Sequence, residues 1–136
     1  MTSNNVSSGN PARKSILTIS LSQHLIGSPI EKAIEADWAK EKAYGIIHSF
    51  VNVGFNLDPT DVLGALKALK YELGERTWDG IIIGWCIRGN VEFTLLFEQV
   101  HSACCEVAPR AKIMFSTGSD NLVETVVRNF PMKIIA

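Results

Sequence analysis

Apolar positions along this chain keep two alternating rhythms. Ile16, Leu17, Ile19 and Leu21 form a run of strand length, and Ile30, Ile34 and Trp38 then recur every fourth residue, as one helical face does. The start signal for that helix is Ser28 as cap with Pro29 at the first helical position, and Gly45 is its expected stop. A second strand is predicted over residues 46–53, where His48, Ser49 and Asn52 interrupt the apolar pattern and point to a sheet edge. Asp58-Pro59-Thr60-Asp61 opens the next helix, with Asp58 as cap, Val62, Leu66, Leu69 and Leu73 as its buried stripe, and Gly74 at its close. Gly80-Ile81-Ile82-Ile83-Gly84 is apolar without alternation, as a strand covered on both faces is. A helix over residues 91–108 follows, with Leu96, Val100, Ala103 and Val107 on one face and Pro109 beyond it. Residues 112–116 make a fourth strand, Thr117-Gly118-Ser119-Asp120 a turn and cap, and Leu122, Val123, Val126, Val127 and Phe130 the last helix. Residues 132–135 fit either a short fifth strand or a docked tail.

This strict alternation predicts a three-layer α/β sandwich around a parallel sheet of four strands, or five with the C-terminal segment. With the more polar second strand at an edge, the strand order is 2-1-3-4, the flavodoxin-like order. The chain has 136 residues, which suits one domain over residues 14–136 behind a polar, Ser- and Asn-rich tail at 1–13. A net charge of −1 lacks the basic excess of a nucleic-acid or anionic-membrane binder. No apolar run approaches the ~20 residues of a membrane span, and the first ten residues lack a signal-peptide core. Cys86, Cys104 and Cys105 are odd in number, with two adjacent, so no disulfide framework is expected and a reducing, cytoplasmic setting is. Cys104 is expected in the core and Cys105 on the helix surface.

In such sheets a ligand sits beyond the carboxyl ends of the strands where the order reverses, here between strands 1 and 3. The loops there carry Ser22-Gln23-His24 and Trp85-Cys86-Ile87-Arg88-Gly89-Asn90, flanked by Asn56 and by Ser116-Thr117. Arg88 is the leading site residue: a guanidinium before a helix start suits a carboxylate, phosphate or enolate oxygen, and the alternative is an ion pair with Asp58 or Asp120. His24 and Glu92 are the candidate proton-transfer groups. Trp85, Cys86, Asn90, Asn56, Ser116 and Thr117 are the other candidate ligand contacts. His101 and Cys105 lie one helical turn apart without further ligands, so no metal site is expected. No G-x-G-x-x-G or P-loop occurs, and no cofactor is expected.

Ser22-Gln23-His24-Leu25-Ile26-Gly27 superficially resembles the D-x-H-x-x-G cobalamin motif, but Ser22 stands where that motif has Asp. A broader pattern lies in the second half: Trp78-Asp79-Gly80-Ile81-Ile82-Ile83-Gly84, Ile87-Arg88, Leu96-Phe97-Glu98, Ala108-Pro109-Arg110-Ala111-Lys112 and Phe115-Ser116-Thr117. It resembles a group of small bacterial and fungal α/β proteins with a D-x-hhhIG-x-x-hR, LFE, AP-x-AK and F-x-T pattern. In that group an Asp near the end of strand 1 is usual, where this chain has Ser20 and Ser22. The resemblance implies the fold and the importance of Arg88, and supplies no reaction.

The functional expectation is a small cofactor-independent enzyme doing acid/base chemistry, of isomerase, cyclase or lyase type, on a small anionic or carbonyl-containing molecule. The alternative is a ligand-binding or assembly module of the same fold. Phe93, Phe97 and Phe130 exceed what the predicted core places, and with two open sheet edges they point to a homodimer.

Overall fold

In the computed structural model, which describes residues 13–131, four strands form one parallel sheet in the order β2-β1-β3-β4. The strands are β1 (Lys14–Ser20), β2 (Phe50–Asn56), β3 (Gly80–Ile83) and β4 (Lys112–Phe115). Five α-helical segments connect them, α1 (Ser22–Ile26), α2 (Ile30–Trp38), α3 (Val62–Gly74), α4 (Trp85–Arg88) and α5 (Thr94–Val107), and α6 (Leu122–Asn129) follows β4. The predicted tail and the C-terminal segment at 132–135 lie outside the described residues. No helix among the described residues is long and apolar enough to cross a membrane.

The period of two in β1 builds both cores. Leu17 and Ile19 face α3 and α5, together with Ile81, Ile83, Leu69, Leu73, Leu96 and Val100. Ile16 faces α2 and α6, with Ile82, Met114, Ile34, Trp38, Val123 and Val126. Thr18 and Ser20 alternate with Leu17 and Ile19, so they point to the α2/α6 side as Ile16 does. They are polar yet only 1% and 4% exposed.

Several element boundaries differ from the expected ones, those of α2 through interactions distant in sequence. Helix α2 stops at Trp38, well before Gly45. One residue before that end, the buried Asp37 carboxylate turns inward to Lys42 Nζ at 2.8 Å and the Val123 N–H at 2.9 Å. The intervening chain forms short 3₁₀ turns at Glu41–Ala43 and Ile47–Ser49, so His48 sits in an exposed turn and not in a strand. Strand β2 starts at Phe50 because its register with β1 runs from Phe50 opposite Lys14 to Asn56 opposite Ser20. Ser28 does not cap α2, since the Ile30 N–H donates to Asn56 Oδ1 on the neighbouring strand at 2.8 Å. For α3 the cap is Asp61, whose Oδ1 accepts from the Gly64 N–H, while Asp58 closes a turn on Thr60. The helix expected from residue 91 begins as a 3₁₀ turn, Val91–Phe93, and the loops after β1 and β3 contain the helical turns α1 and α4. Phe130, expected within the last helix, lies one residue beyond its end at Asn129.

Candidate functional site

The carboxyl ends of β1, β3 and β4 open into a cleft of about 200 Å³. Its walls are Leu25 and Ile26 of α1, Ile30 at the start of α2, Trp85 of α4 and Leu122 at the start of α6. Thr18, Ser20, Ser22, Cys86, Ser116 and Ser119 add hydroxyls and one thiol. Among the described residues lining it there is no carboxylate, imidazole, ammonium or guanidinium. The location is the point where the strand order reverses, as the topology requires.

Local geometry explains why these residues meet here. After β1 the chain makes one helical turn, which ends at Gly27 in the left-handed region (φ 69°), a conformation glycine adopts without a Cβ penalty. The turn is tied down by Ser22 Oγ, which donates to the Ser28 carbonyl at 2.7 Å. After β3 the Gly84 N–H donates to the Ile19 carbonyl at 3.0 Å, and the chain turns at once into α4. Cys86 then reaches back to β1, where its Sγ accepts from the Leu21 N–H at 3.3 Å and meets Ser20 Oγ at 3.5 Å. The Trp85 indole lies against Gly89, where any larger residue would overlap the ring.

Of the nine candidate residues, three line this cleft: Trp85, Cys86 and Ser116. Arg88 stands behind it. Its guanidinium carbon is 4.9 Å from the Trp85 ring centre and 5.4 Å from that of Phe115, and Nη2 donates to the Ser116 carbonyl at 3.4 Å. It makes no ion pair with Asp58 or Asp120, and its Nε is buried with no hydrogen-bond partner among the described residues. Asn90 Nδ2 donates to the Cys86 carbonyl at 2.7 Å and so closes α4. Thr117 is exposed, and its N–H donates to Asn121 Oδ1. Glu92 is exposed in the 3₁₀ turn. His24 and Asn56 belong to a separate groove with Gln23, Leu57, Asp58 and Thr60. There the Asp58 carboxyl is held below the ordinary carboxylate range by the hydroxyl and N–H of Thr60. The structure therefore brings neither His24 nor Glu92 to the cleft with Trp85, Cys86 and Ser116.

Thr18, Ser20, Ser22, Leu25, Ile26, Ile30, Ser119 and Leu122 were not among the expected contacts. One signal pointed to two of them: Thr18 and Ser20 are polar at alternate positions inside an otherwise apolar strand, so both fall on one face. Comparison with known proteins finds no matching family model, no matching curated protein and no matching solved structure.

Proposed function

We propose that this protein is a small-molecule-binding module whose ligand occupies the cleft at the ends of β1, β3 and β4. The observation that carries it is the lining itself: apolar walls, a set of hydroxyls, and no carboxylate or imidazole to move a proton. This is how a binding pocket is built, with a mostly apolar body and a few polar groups that fix orientation. Acid/base catalysis is the weaker reading, because His24 opens onto a different groove and Glu92 is exposed in a turn. A cytoplasmic setting is part of the proposal and agrees with three free thiols.

Trp85 supplies the test. It is 48% exposed at the cleft, whereas Trp38 and Trp78 are 8% and 2% exposed. Benzyl alcohol entering the cleft should change Trp85 emission, protect it from acrylamide quenching and raise the melting temperature. In Trp85→Phe the emission change should vanish. No change in emission or melting up to about 10 mM, enough to fill most sites even at millimolar Kd, would refute the reading.

A homodimer is proposed on a different basis from the three phenylalanines, because Phe93 and Phe97 pack against one core and Phe130 against the other. The open surface is instead the outer face of the neighbouring helices α3 and α5, where Leu63 and Leu95 are 83% and 66% exposed. Light scattering should give about twice the 14.9 kDa chain mass at micromolar concentration. The single-chain mass throughout that range would rule the dimer out.

A further inference from the structure

We infer that the molecule received by this cleft is uncharged, about the size of one substituted ring, and carries an acceptor atom to which the Ser116 or Thr18 hydroxyl donates a hydrogen bond. The inference rests on the binding reading above and adds the chemical class of the ligand.

Size comes first. A closed apolar cavity of about 150 Å³ holds one benzene molecule. The cleft, at about 200 Å³, therefore has room for one six-membered ring and a few further heavy atoms. A nucleotide or a long acyl chain would extend out of it into solvent.

Polarity follows from which hydroxyls are already engaged. Ser20 Oγ accepts from the Ser22 N–H at 3.0 Å and meets Cys86 Sγ at 3.5 Å. Ser22 Oγ donates to the Ser28 carbonyl. Thr18 and Ser116 differ. Thr18 Oγ1 accepts from Asn52 Nδ2 at 2.8 Å, so its own proton points elsewhere, and among the described residues it meets no acceptor. Ser116 Oγ meets no hydrogen-bond partner among the described residues, while the Ser116 carbonyl accepts from Arg88. Both residues line the cleft, and they are 1% and 2% exposed. A hydroxyl with so little access to water gains from a partner that reaches it through the cleft. What both still offer is a donated proton, and the complementary ligand atom is a carbonyl or ether oxygen. β3 lies between β1 and β4, so the two donors are separated by two strand spacings, roughly 10 Å, and serve different parts of the ligand.

Charge is decided by the same lining. An anion entering this cleft would lose water and gain no cationic side chain, because none lines it among the described residues. The guanidinium of Arg88 is already taken up by two aromatic rings and the Ser116 carbonyl, and its Nε is buried away from any ligand.

Three probes of one size separate these properties: acetophenone, a neutral acceptor; ethylbenzene, with no acceptor; and benzoate, an anion. Titration into ¹⁵N-labelled protein, followed at the Gly84, Cys86 and Gly118 amides, gives each affinity. Acetophenone should bind about 3- to 10-fold more tightly than ethylbenzene, as one net hydrogen bond allows. Benzoate should bind more weakly than either. Ser116→Ala or Thr18→Val should bring acetophenone down to the affinity of ethylbenzene. Equal binding of acetophenone and ethylbenzene, a preference that survives both substitutions, or tighter binding of benzoate would overturn this inference while the binding reading stands. If none of the three binds, both fall.

Discussion

Replacing Arg88 separates three physical roles that a loop arginine can have, and the structure assigns a size to each. As a free anchor for an anion, the guanidinium would contribute almost nothing to folding. As the partner of a buried carboxylate, its removal would strand a charge and cost ~3 kcal/mol or more. The observed arrangement is neither: the side chain is half-buried, stacked between Trp85 and Phe115, with one unpaired buried N–H. Each ring contact contributes about 0.5–1 kcal/mol, and the half-buried methylene stem about 1 kcal/mol more. Against this stands the orphaned Nε, whose removal returns about 1 kcal/mol. Arg88→Ala should therefore lose about 1–2 kcal/mol, a shift of roughly 1 M in the urea midpoint. Arg88→Met keeps the stem, gives the rings a polarisable sulfur and removes the orphan, so it should stay within about 1 kcal/mol of the parent. Urea unfolding followed by far-UV circular dichroism measures both. A loss above about 3 kcal/mol in the methionine variant would reveal a buried charge partner, and a loss below about 0.5 kcal/mol in the alanine variant would mean the guanidinium stands free.

Further outcomes follow from the packing. Burial alone would raise the Asp37 carboxyl, but hydrogen bonds from Lys42, the Val123 N–H and Lys40 outweigh it and hold the group below its ordinary value. A lowered folded-state pKa gives stability that is present above the unfolded value near 4 and lost as pH falls through the folded one. Asp37→Asn should thus cost about 1–3 kcal/mol at pH 7, with the gap to the parent closing below about pH 4, and a gap independent of pH would contradict this. Gly54→Ala places a methyl group 2.6 Å from Ile30 Cγ2 where α2 crosses β2, and should cost about 1–3 kcal/mol by thermal or urea unfolding. An unchanged melting temperature would show that α2 moves freely there. Burial pushes the Cys104 thiol up to about 12, so native protein treated with iodoacetamide at pH 8 should label the exposed Cys105 and leave Cys104 unmodified until denaturant is added. Labelling of Cys104 at the Cys105 rate would contradict the packing of α5.

The sheet order was legible because it depends on a few residues that had no other use. A run such as Ile81-Ile82-Ile83 has to be covered on both sides, while the edge position of β2 was read from His48, Ser49 and Asn52, of which only Asn52 lies in the strand. Element ends were less legible because they are set by groups far away in the chain. The end of α2 follows the Asp37 contacts with Lys42 and with Val123, 86 residues further on. The start of the same helix follows Asn56, 26 residues after Ile30. A capping rule reads neighbours only, so Ser28 was the natural choice for work done by Asn56, whereas the Asp61 cap of α3 is local and was within that rule's reach.

The site shows the same division in a sharper form. Polar loop residues suggest ligand contact, yet a loop beside a parallel sheet must also satisfy helix ends and strand ends. Asn56 serves α2, Asn90 closes α4, and Arg88 braces Trp85 and Phe115 from behind. Their polarity is consumed by the fold before a ligand arrives. A buried polar residue inside a strand carries the opposite signal, because the strand backbone needs nothing from its side chain. Thr18 keeps a proton that no described residue accepts, on the face that opens into the cleft. Residues of this kind, costly to bury and unnecessary to the sheet, are where ligand recognition is most economically written into an α/β chain.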